Sequence, residues 1–421
     1  MKSVALVLGG TSPHIELINQ LKARGYYVVL LDYLKNPPAR KFADRFIQES
    51  TLEKERVRVL AEESGASIVI STCIDQANST CCYVSEKLGL PCPYSYETSL
   101  DVTDKGRMKS IFRSTGVPTS RFSIIKSLDD INDNNPNEFL KFPLVVKPVD
   151  CNSSKGVRKV DNLGQLKKYA EDALRLSRTH TAIVEEFVMG REIQVDCIAS
   201  SGSVNVILAR EKKKVAVVNG LELQSTGSVI PASLAESALI QVKNIAEKIA
   251  EAFRLHNTPF FYQAIVDKDD HVNVLEFAPR IGGGLSYYVL KNIAGVDVIK
   301  CAVDSFLGNS ISYTKRNVTG YYSTNLLYAE GGVFDHIAGM DELRSDKSVV
   351  ETFQFKEKGT EIGIGISSGT RVGAFILKAD SLEELHEKEI SLMSGIDILD
   401  INGKSIKKNL INDTSSIQSG L

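Results

Sequence analysis

The most constraining stretch of the chain is Phe261–Gly284, FYQAIVDKDDHVNVLEFAPRIGGG. Its apolar residues alternate on either side of a charged turn, Lys268-Asp269-Asp270-His271, which predicts two strands joined as a hairpin. The second strand, Val272–Phe277, closes on a carboxylate, Glu276, and is followed by Arg280 and a glycine run. An ion taken out of water needs a partner. A strand end carrying Glu, Arg and glycines therefore suits a place that holds a cation and an anion together. The same residues also suit a salt-bridged strand end followed by a flexible loop.

With 421 residues the chain exceeds what one hydrophobic core ordinarily organises, so two or three domains are expected. Its 43% hydrophobic and 24% charged content is that of a soluble globular protein. A net charge of -2 argues against a nucleic-acid partner, which usually demands a basic face. No apolar run approaches the ~20 residues of a membrane helix. Met1–Gly10 enters a strand pattern directly, with too short an apolar core for a signal peptide. The seven cysteines (Cys73, Cys81, Cys82, Cys92, Cys151, Cys197 and Cys301) are odd in number and lack C-x-x-C spacing. Reduced thiols in a cytoplasmic protein are the simplest reading.

From the N-terminus, Val4–Leu8 predicts a strand broken at Gly9-Gly10. A helix is expected next, with Ser12 as N-cap, Pro13 at its first position, and Ile15, Ile18 and Leu21 on one face. Tyr27–Leu31 and Ser67–Ser71 are further expected strands, with a helix over 52–63 between them. The alternation predicts a parallel sheet covered by helices. Gly9-Gly10-Thr11 with Asp32 downstream invites a dinucleotide reading, and with it a nicotinamide-dependent oxidoreductase. The run is GGTSPH rather than G-x-G-x-x-G, so a tight strand-to-helix turn is preferred.

Asp104–Thr115 predicts a helix with Met108, Ile111 and Phe112 inward and Lys109 in solvent. Leu144–Pro148 is an apolar strand carrying Lys147, whose ammonium must reach an anion or water. The loop behind it, Val149–Gly156, contains Ser153 and Ser154 and can offer backbone N–H groups to a phosphate. An ordinary polar turn fits that loop too. Asp161 is placed to cap a helix over 162–176. Ala182–Val188 carries adjacent acids, Glu185 and Glu186, with Glu192 shortly after. Residues 192–200 and 203–210 pattern as a hairpin, and Glu211–Lys214 is expected to be an exposed turn. Further helices are expected over 234–253, 296–307 and 381–393, and strands over 319–327, 348–355 and 373–377.

Taken in order, these segments resemble the ATP-grasp superfamily, in its biotin-carboxylase-like and carbamoyl-phosphate-synthase-large-chain-like branch. Asp104-Lys105-Gly106-Arg107-Met108-Lys109 is similar to the family's D-K-x-x-x-K opening, whose first lysine, matched by Lys105, reaches the nucleotide phosphates. Lys147-Pro148 and the loop to Gly156 resemble K-P-x-x-x-x-G-S-x-G, a lid over the triphosphate. Ser153 takes a glycine position there, while Ser154 and Gly156 keep theirs. Glu185-Glu186-Phe187-Val188-Met189-Gly190-Arg191-Glu192 resembles the adenine hinge. The resemblance implies that backbone groups of Glu186 and Val188 meet the adenine edge, that Glu185 stands near its amino group, and that Glu192 accepts from ribose hydroxyls. Glu276-Phe277-Ala278-Pro279-Arg280 resembles the metal-binding E-x-N-x-R, with Ala278 at the asparagine position.

The resemblance implies an α/β and α+β architecture: an N-terminal parallel α/β domain over 1–103, a two-lobed ATP-grasp domain over 104–308, and a small C-terminal α+β domain over 309–421. The lid lobe would occupy about 110–186 and the metal-binding lobe about 187–308. It implies ATP and Mg²⁺ as cofactors. In the family two acids across the hairpin bridge the metals. Glu276 is one, and Gln263, thirteen residues earlier, stands where the other is expected. Three readings stay open: one metal site is weakened, Asp196 or Asp267 substitutes, or catalysis is impaired.

The implied reaction is that of a carboxylate–amine ligase, L-amino-acid ligases being among the relatives. A substrate carboxylate is phosphorylated to an acylphosphate, which an amine or related nucleophile opens, releasing ADP and phosphate. Arg280 would hold the carboxylate with its planar fork and Lys147 the phosphates. Closure of the 149–157 loop would keep water out. The expected partners are small-molecule carboxylate and amine substrates, with no nucleic acid and no membrane. Relatives commonly pair, so a homodimer is an open expectation. Gln263 and Ala278 motivate a rival reading, an ATP-binding relative that has lost transfer chemistry and serves as a sensor or scaffold.

Overall fold

The computed structural model describes residues 2–131, 140–151, 155–216, 223–365, 367–408 and 410. The chain forms two compact units, each assembled from three segments: residues 1–120, 194–209 and 234–318 in the first, and 121–193, 210–233 and 319–421 in the second.

In the first unit, four parallel strands lie in the order Arg45–Gln48, Tyr27–Asp32, Val4–Leu8, Ala66–Ile70. Ala5–Leu8, Val28–Leu31 and Ile68–Ile70 are buried without a break. Such unbroken apolar runs are what a sheet covered on both faces requires. The helix after the first strand spans Ser12–Ala23; its N-cap is Thr11 rather than Ser12, with Pro13 in the first turn as expected. Asp32 is spent on the turn: its Oδ2 accepts the Gly10 N–H at 2.7 Å and its Oδ1 the Leu34 N–H at 2.8 Å. A side chain on Gly10 would come within 2.5 Å of Pro37, so the glycine serves close packing. The tight-turn reading therefore accounts for Gly9-Gly10 and Asp32. Elements without a counterpart in the sequence reading include the strand Arg45–Gln48 and the helices Asp75–Leu88, Tyr96–Thr103 and Ser286–Asn292. Helix Asp75–Leu88 is rich in Ser, Thr, Asn and Cys, which are weak helix formers, and burial of Ala77, Cys81, Cys82 and Val84 holds it instead.

The same unit contains the hairpin of Thr258–Val266 and Val272–Ala278. Helix Lys105–Thr115 packs on it through Phe112, whose ring meets Phe253 and Phe277 at centroid separations of 5.9 and 6.0 Å; Phe253 and Phe277 are 4.3 Å apart. Lys109 corrects the sequence reading, because it is buried rather than solvated. Its ammonium donates to Thr119 Oγ1 at 2.8 Å and Ser120 Oγ at 2.9 Å, and Thr119 Oγ1 donates on to the Val274 carbonyl. The helical repeat puts Lys109 on the Phe112 side, and polar partners from the next segment make its burial tolerable.

In the second unit, strands Phe122–Ile125, Ala182–Glu186, Leu144–Pro148 and Arg158–Val160 form an antiparallel sheet in that order. Helix Leu163–Leu176 covers one face, setting Leu166, Ala170 and Ala173 against Leu144, Val146 and Val184. Its N-cap is Asn162, which accepts the Gln165 N–H at 3.0 Å, not Asp161. The strand Ser203–Ala216 runs on through residues 211–214 and pairs there with Leu223–Ile230, so the expected exposed turn is a strand. Strand alternation explains why lysines are accepted there: Lys212 and Lys214 face one carboxylate, that of Glu192, and Lys213 faces another, that of Glu389. Strands Tyr321–Tyr328, Arg371–Ala379 and Val349–Gln354 continue the antiparallel pairing, and a smaller sheet orders Glu361–Ile362, Gly332–Ala338 and Asp397–Asp400. Among the described residues, no helix is long and apolar enough to cross a membrane.

Phe112 is fully buried at the helix–hairpin contact. We predict that Phe112→Ala lowers the unfolding free energy by about 3–5 kcal/mol, read from urea titrations of the whole chain. A loss below about 1 kcal/mol would mean that the aromatic cluster is not a packed core.

Candidate functional site

Gln263 lies directly across the hairpin from Glu276, and the register then shifts so that Ala264 pairs with Val274. An irregularity of this kind re-aims side chains at a strand end. Lys105 opens its helix under the Asp104 cap, which accepts the Arg107 N–H at 2.9 Å; its ammonium lies 3.7 Å from Glu276 Oε2. Asp267 does not stand in for the missing acid. It sits at the far end of the hairpin, where its Oδ1 accepts the N–H groups of Asp269 and His271 at 2.9 Å. Asp196 is buried and accepts from Gln194 Nε2 at 3.0 Å. Ala278 is buried and offers no ligand atom. One carboxylate and one carboxamide in register are hard oxygen donors of the kind Mg²⁺ takes, so Glu276 and Gln263 are the residues here that could hold such an ion.

Arg280 follows on the same hairpin. Its Nε and Nη2 grip both oxygens of Asp75 at 2.5 Å, its Nη1 donates to the Ile281 carbonyl, and its guanidinium lies 5.2 Å from the Phe261 ring centroid. Asp75, Asn78, Tyr94, Ser99, Thr103 and Arg280 line one recess within this unit. Asp75 was missed in the sequence. The signal available was position: it follows the strand Ala66–Ile70 at the carboxyl end of a parallel sheet, where such sheets place their ligands. The glycine run does not continue as an open loop. Helix Ser286–Asn292 starts almost at once, and a side chain on Gly282 would lie 2.5 Å from Gln194 Nε2 and Ser286 Oγ.

The second unit holds the other predicted residues. Lys147 and Glu185 form an ion pair, both almost wholly buried. The register pairs Val145 with Glu185 and Lys147 with Ile183, so the two charges are diagonal neighbours on one face. Glu186 takes a bidentate bond from Arg121 at 2.9 and 2.6 Å and accepts the Lys141 N–H at 3.0 Å. Its own N–H donates to the Arg121 carbonyl at 2.9 Å. Phe187 donates its N–H to the Pro143 carbonyl and carries the Lys159 ammonium 4.8 Å above its ring; Val188 lies just past the strand end. Gly156 has φ +75°, and a side chain there would meet Leu176 at 2.9 Å, so glycine is required. Ser153 and Ser154 lie outside the described residues.

Glu192 is buried between Lys212, at 3.2 Å, and Lys214, which it also hydrogen-bonds. The sequence reading missed both lysines because it took them for solvated charges. Burial alone would raise the Glu192 carboxyl, but the two ammoniums outweigh it and hold the group below the usual carboxylate range.

Comparison with known proteins adds the following. Residues 111–280 match the family model of the D-ala D-ala ligase C-terminus, and residues 325–398 that of L-amino acid ligase C-terminal domain 2. The chain is 25% identical over 305 residues to the carbamoyl phosphate synthase arginine-specific large chain of Eremothecium gossypii, covering 70% of this chain and 27% of that protein. The chain spans only 27%, 13% and 28% of the first three curated relatives it matches. Among solved structures, an L-amino acid ligase from Bacillus licheniformis superposes with TM-score 0.77 at 21% identity, covering 95% of this chain and 99% of that one. The biotin carboxylase domain of a Hydrogenobacter thermophilus 2-oxoglutarate carboxylase, solved as a dimer with MgADP, ADP and bicarbonate, gives TM-score 0.77 at 18% identity over 97% and 92% of the two chains.

A carboxyl held below its unfolded value adds stability above the unfolded value and loses it as pH falls through the folded one. We predict that Glu192→Gln removes this contribution, leaving a shallower loss of stability below about pH 4.5. At pH 7 the variant should be less stable by about 2 kcal/mol, because two partly buried lysines lose their anion. Denaturation across pH 3–7 reads both effects, and an unchanged acid slope would contradict them.

Proposed function

We propose, from the premise that this chain belongs to the ATP-grasp superfamily, that it is an ATP-dependent ligase joining a small-molecule carboxylate to an amine or related nucleophile. The observation that carries this reading is the gathering of Glu276, Lys105 and Arg280 at one hairpin end. A cation ligand, a phosphate-neutralising ammonium and a carboxylate-binding fork are the three parts that acyl activation needs.

Lys105 and Lys147 would neutralise phosphate oxygens, Lys147 being aimed by the ladder and by Glu185. Val188 and the carbonyl side of Glu186 would meet the adenine edge. Ionised Glu192 is an acceptor with lone pairs left beside its lysines, so it can take ribose hydroxyls. Glu276, with Gln263, would hold Mg²⁺, which when bound draws charge from the phosphate oxygens. Arg280, whose Nε–Nη2 edge is closed on Asp75, would orient the substrate carboxylate through its remaining Nη hydrogens. A carboxylate oxygen attacks the terminal phosphorus, and the bond to the bridging oxygen breaks with its electron pair going to ADP. The amine nitrogen then attacks the acyl carbon. The carbon–oxygen bond to phosphate breaks, phosphate leaves with that electron pair, and the amine proton passes to phosphate or solvent. Small-molecule substrates and a cytoplasmic setting belong to the same proposal.

Gln263 opposite Glu276 favours a second reading, ATP binding without transfer. Coupled ADP release over a panel of carboxylate and amine pairs separates the two. The ligase reading expects carboxylate-dependent turnover in at least one pair. It also predicts that Arg280→Ala lowers kcat by roughly 10²–10³ while ATP affinity is kept. An absence of turnover with every pair, with ATP bound, would favour the second reading.

A further inference from the structure

We infer that this chain takes a single divalent cation with its nucleotide, and that the Lys105 ammonium stands where a second cation would otherwise be needed. The inference rests on the ATP-dependent reading above and deepens it.

Two dications about 3.5–4 Å apart repel one another and are kept together by carboxylates that bridge them. The hairpin presents one carboxylate, Glu276, and directly opposite it the carboxamide of Gln263. A carboxamide brings a single oxygen and no charge, so it can complete the shell of one ion but cannot bridge two. Of the acids that were open substitutes, Asp267 caps the distant turn, and Asp196 is buried with its Oδ1 accepting from Gln194. Asp75, the further acid close to Arg280, is gripped through both oxygens.

Lys105 supplies the complementary half of the argument. Its side chain is 11% exposed and its ammonium lies 3.7 Å from Glu276 Oε2. Positive charge therefore already faces the one carboxylate. With Gln263 neutral, the charges of Glu276 and Lys105 cancel, and among the described residues this end of the hairpin presents no second carboxylate to a second dication. Replacing Gln263 by glutamate restores the missing charge at a position already in register with Glu276.

The test uses Mn²⁺ as the probe, titrated into the full chain with equimolar ADP and followed by the electron paramagnetic resonance of the free ion. ADP binding is measured separately by calorimetry. The wild type should bind one Mn²⁺ per chain and Gln263→Glu two. Lys105→Met should weaken ADP binding about tenfold or more, without recovery at higher Mn²⁺. Two Mn²⁺ per wild-type chain, with ADP bound, would overturn the inference and leave the ATP-dependent reading standing. A Gln263→Glu chain that is folded by circular dichroism yet stays at one ion would overturn the role given to Gln263. Failure of the wild type to bind ADP at all would overturn both.

Discussion

A buried ammonium is tolerable only where an anion or a set of hydrogen-bond acceptors meets it, and this requirement decides where the lysines of this chain sit. Lys147 is held by Glu185, Lys212 and Lys214 by Glu192, Lys213 by Glu389, and Lys105 by Glu276. Taking each charge out of water costs several kcal/mol, of which Coulomb attraction in the interior returns a share only when the geometry is good. For Lys147 and for Lys212 and Lys214 the β-ladders supply that geometry, whereas Glu389 comes from helix Leu382–Ser394 and Lys105 from helix Lys105–Thr115. A strand fixes which residues are opposite or diagonal, so a lysine on one strand finds its acid on the next without side-chain searching. Each of these ion pairs is formed within the protein itself.

Arg280 follows the same rule with a different consequence. Its fork is closed on Asp75, a residue 205 positions away in sequence. A guanidinium held flat by a carboxylate keeps its orientation, and the rotamer entropy of a long side chain is already lost. The recess around it is lined by Asn78, Ser99 and Thr103 together with Tyr94, Val102 and Pro279.

The legible parts of the chain were those whose signal is local. Glu276 and Lys147 showed as charges closing apolar strands, and the hairpin showed as alternation about a charged turn. The parallel sheet showed as unbroken apolar runs between helices. What failed depended on partners that local spacing does not reveal. Lys109 looked solvated because Thr119 and Ser120, which accept its protons, lie beyond the helix end. Lys212–Lys214 looked like a turn because three adjacent charges hide the strand alternation that sends them to opposite faces. Asp75 was invisible because its helix is held by tertiary burial rather than by propensity.

The central claim is that a carboxylate is activated by transfer of the terminal phosphate of ATP. Positional isotope exchange tests it most directly, using ATP carrying ¹⁸O in the bridge between its β and γ phosphates, with a carboxylate but no amine. Reversible acylphosphate formation frees the ADP β-phosphate to rotate before ATP re-forms. The account predicts that label moves from the bridging to the non-bridging β position only when carboxylate is present. Label that stays in the bridge with every carboxylate tried, on a chain that demonstrably binds ATP, would contradict it.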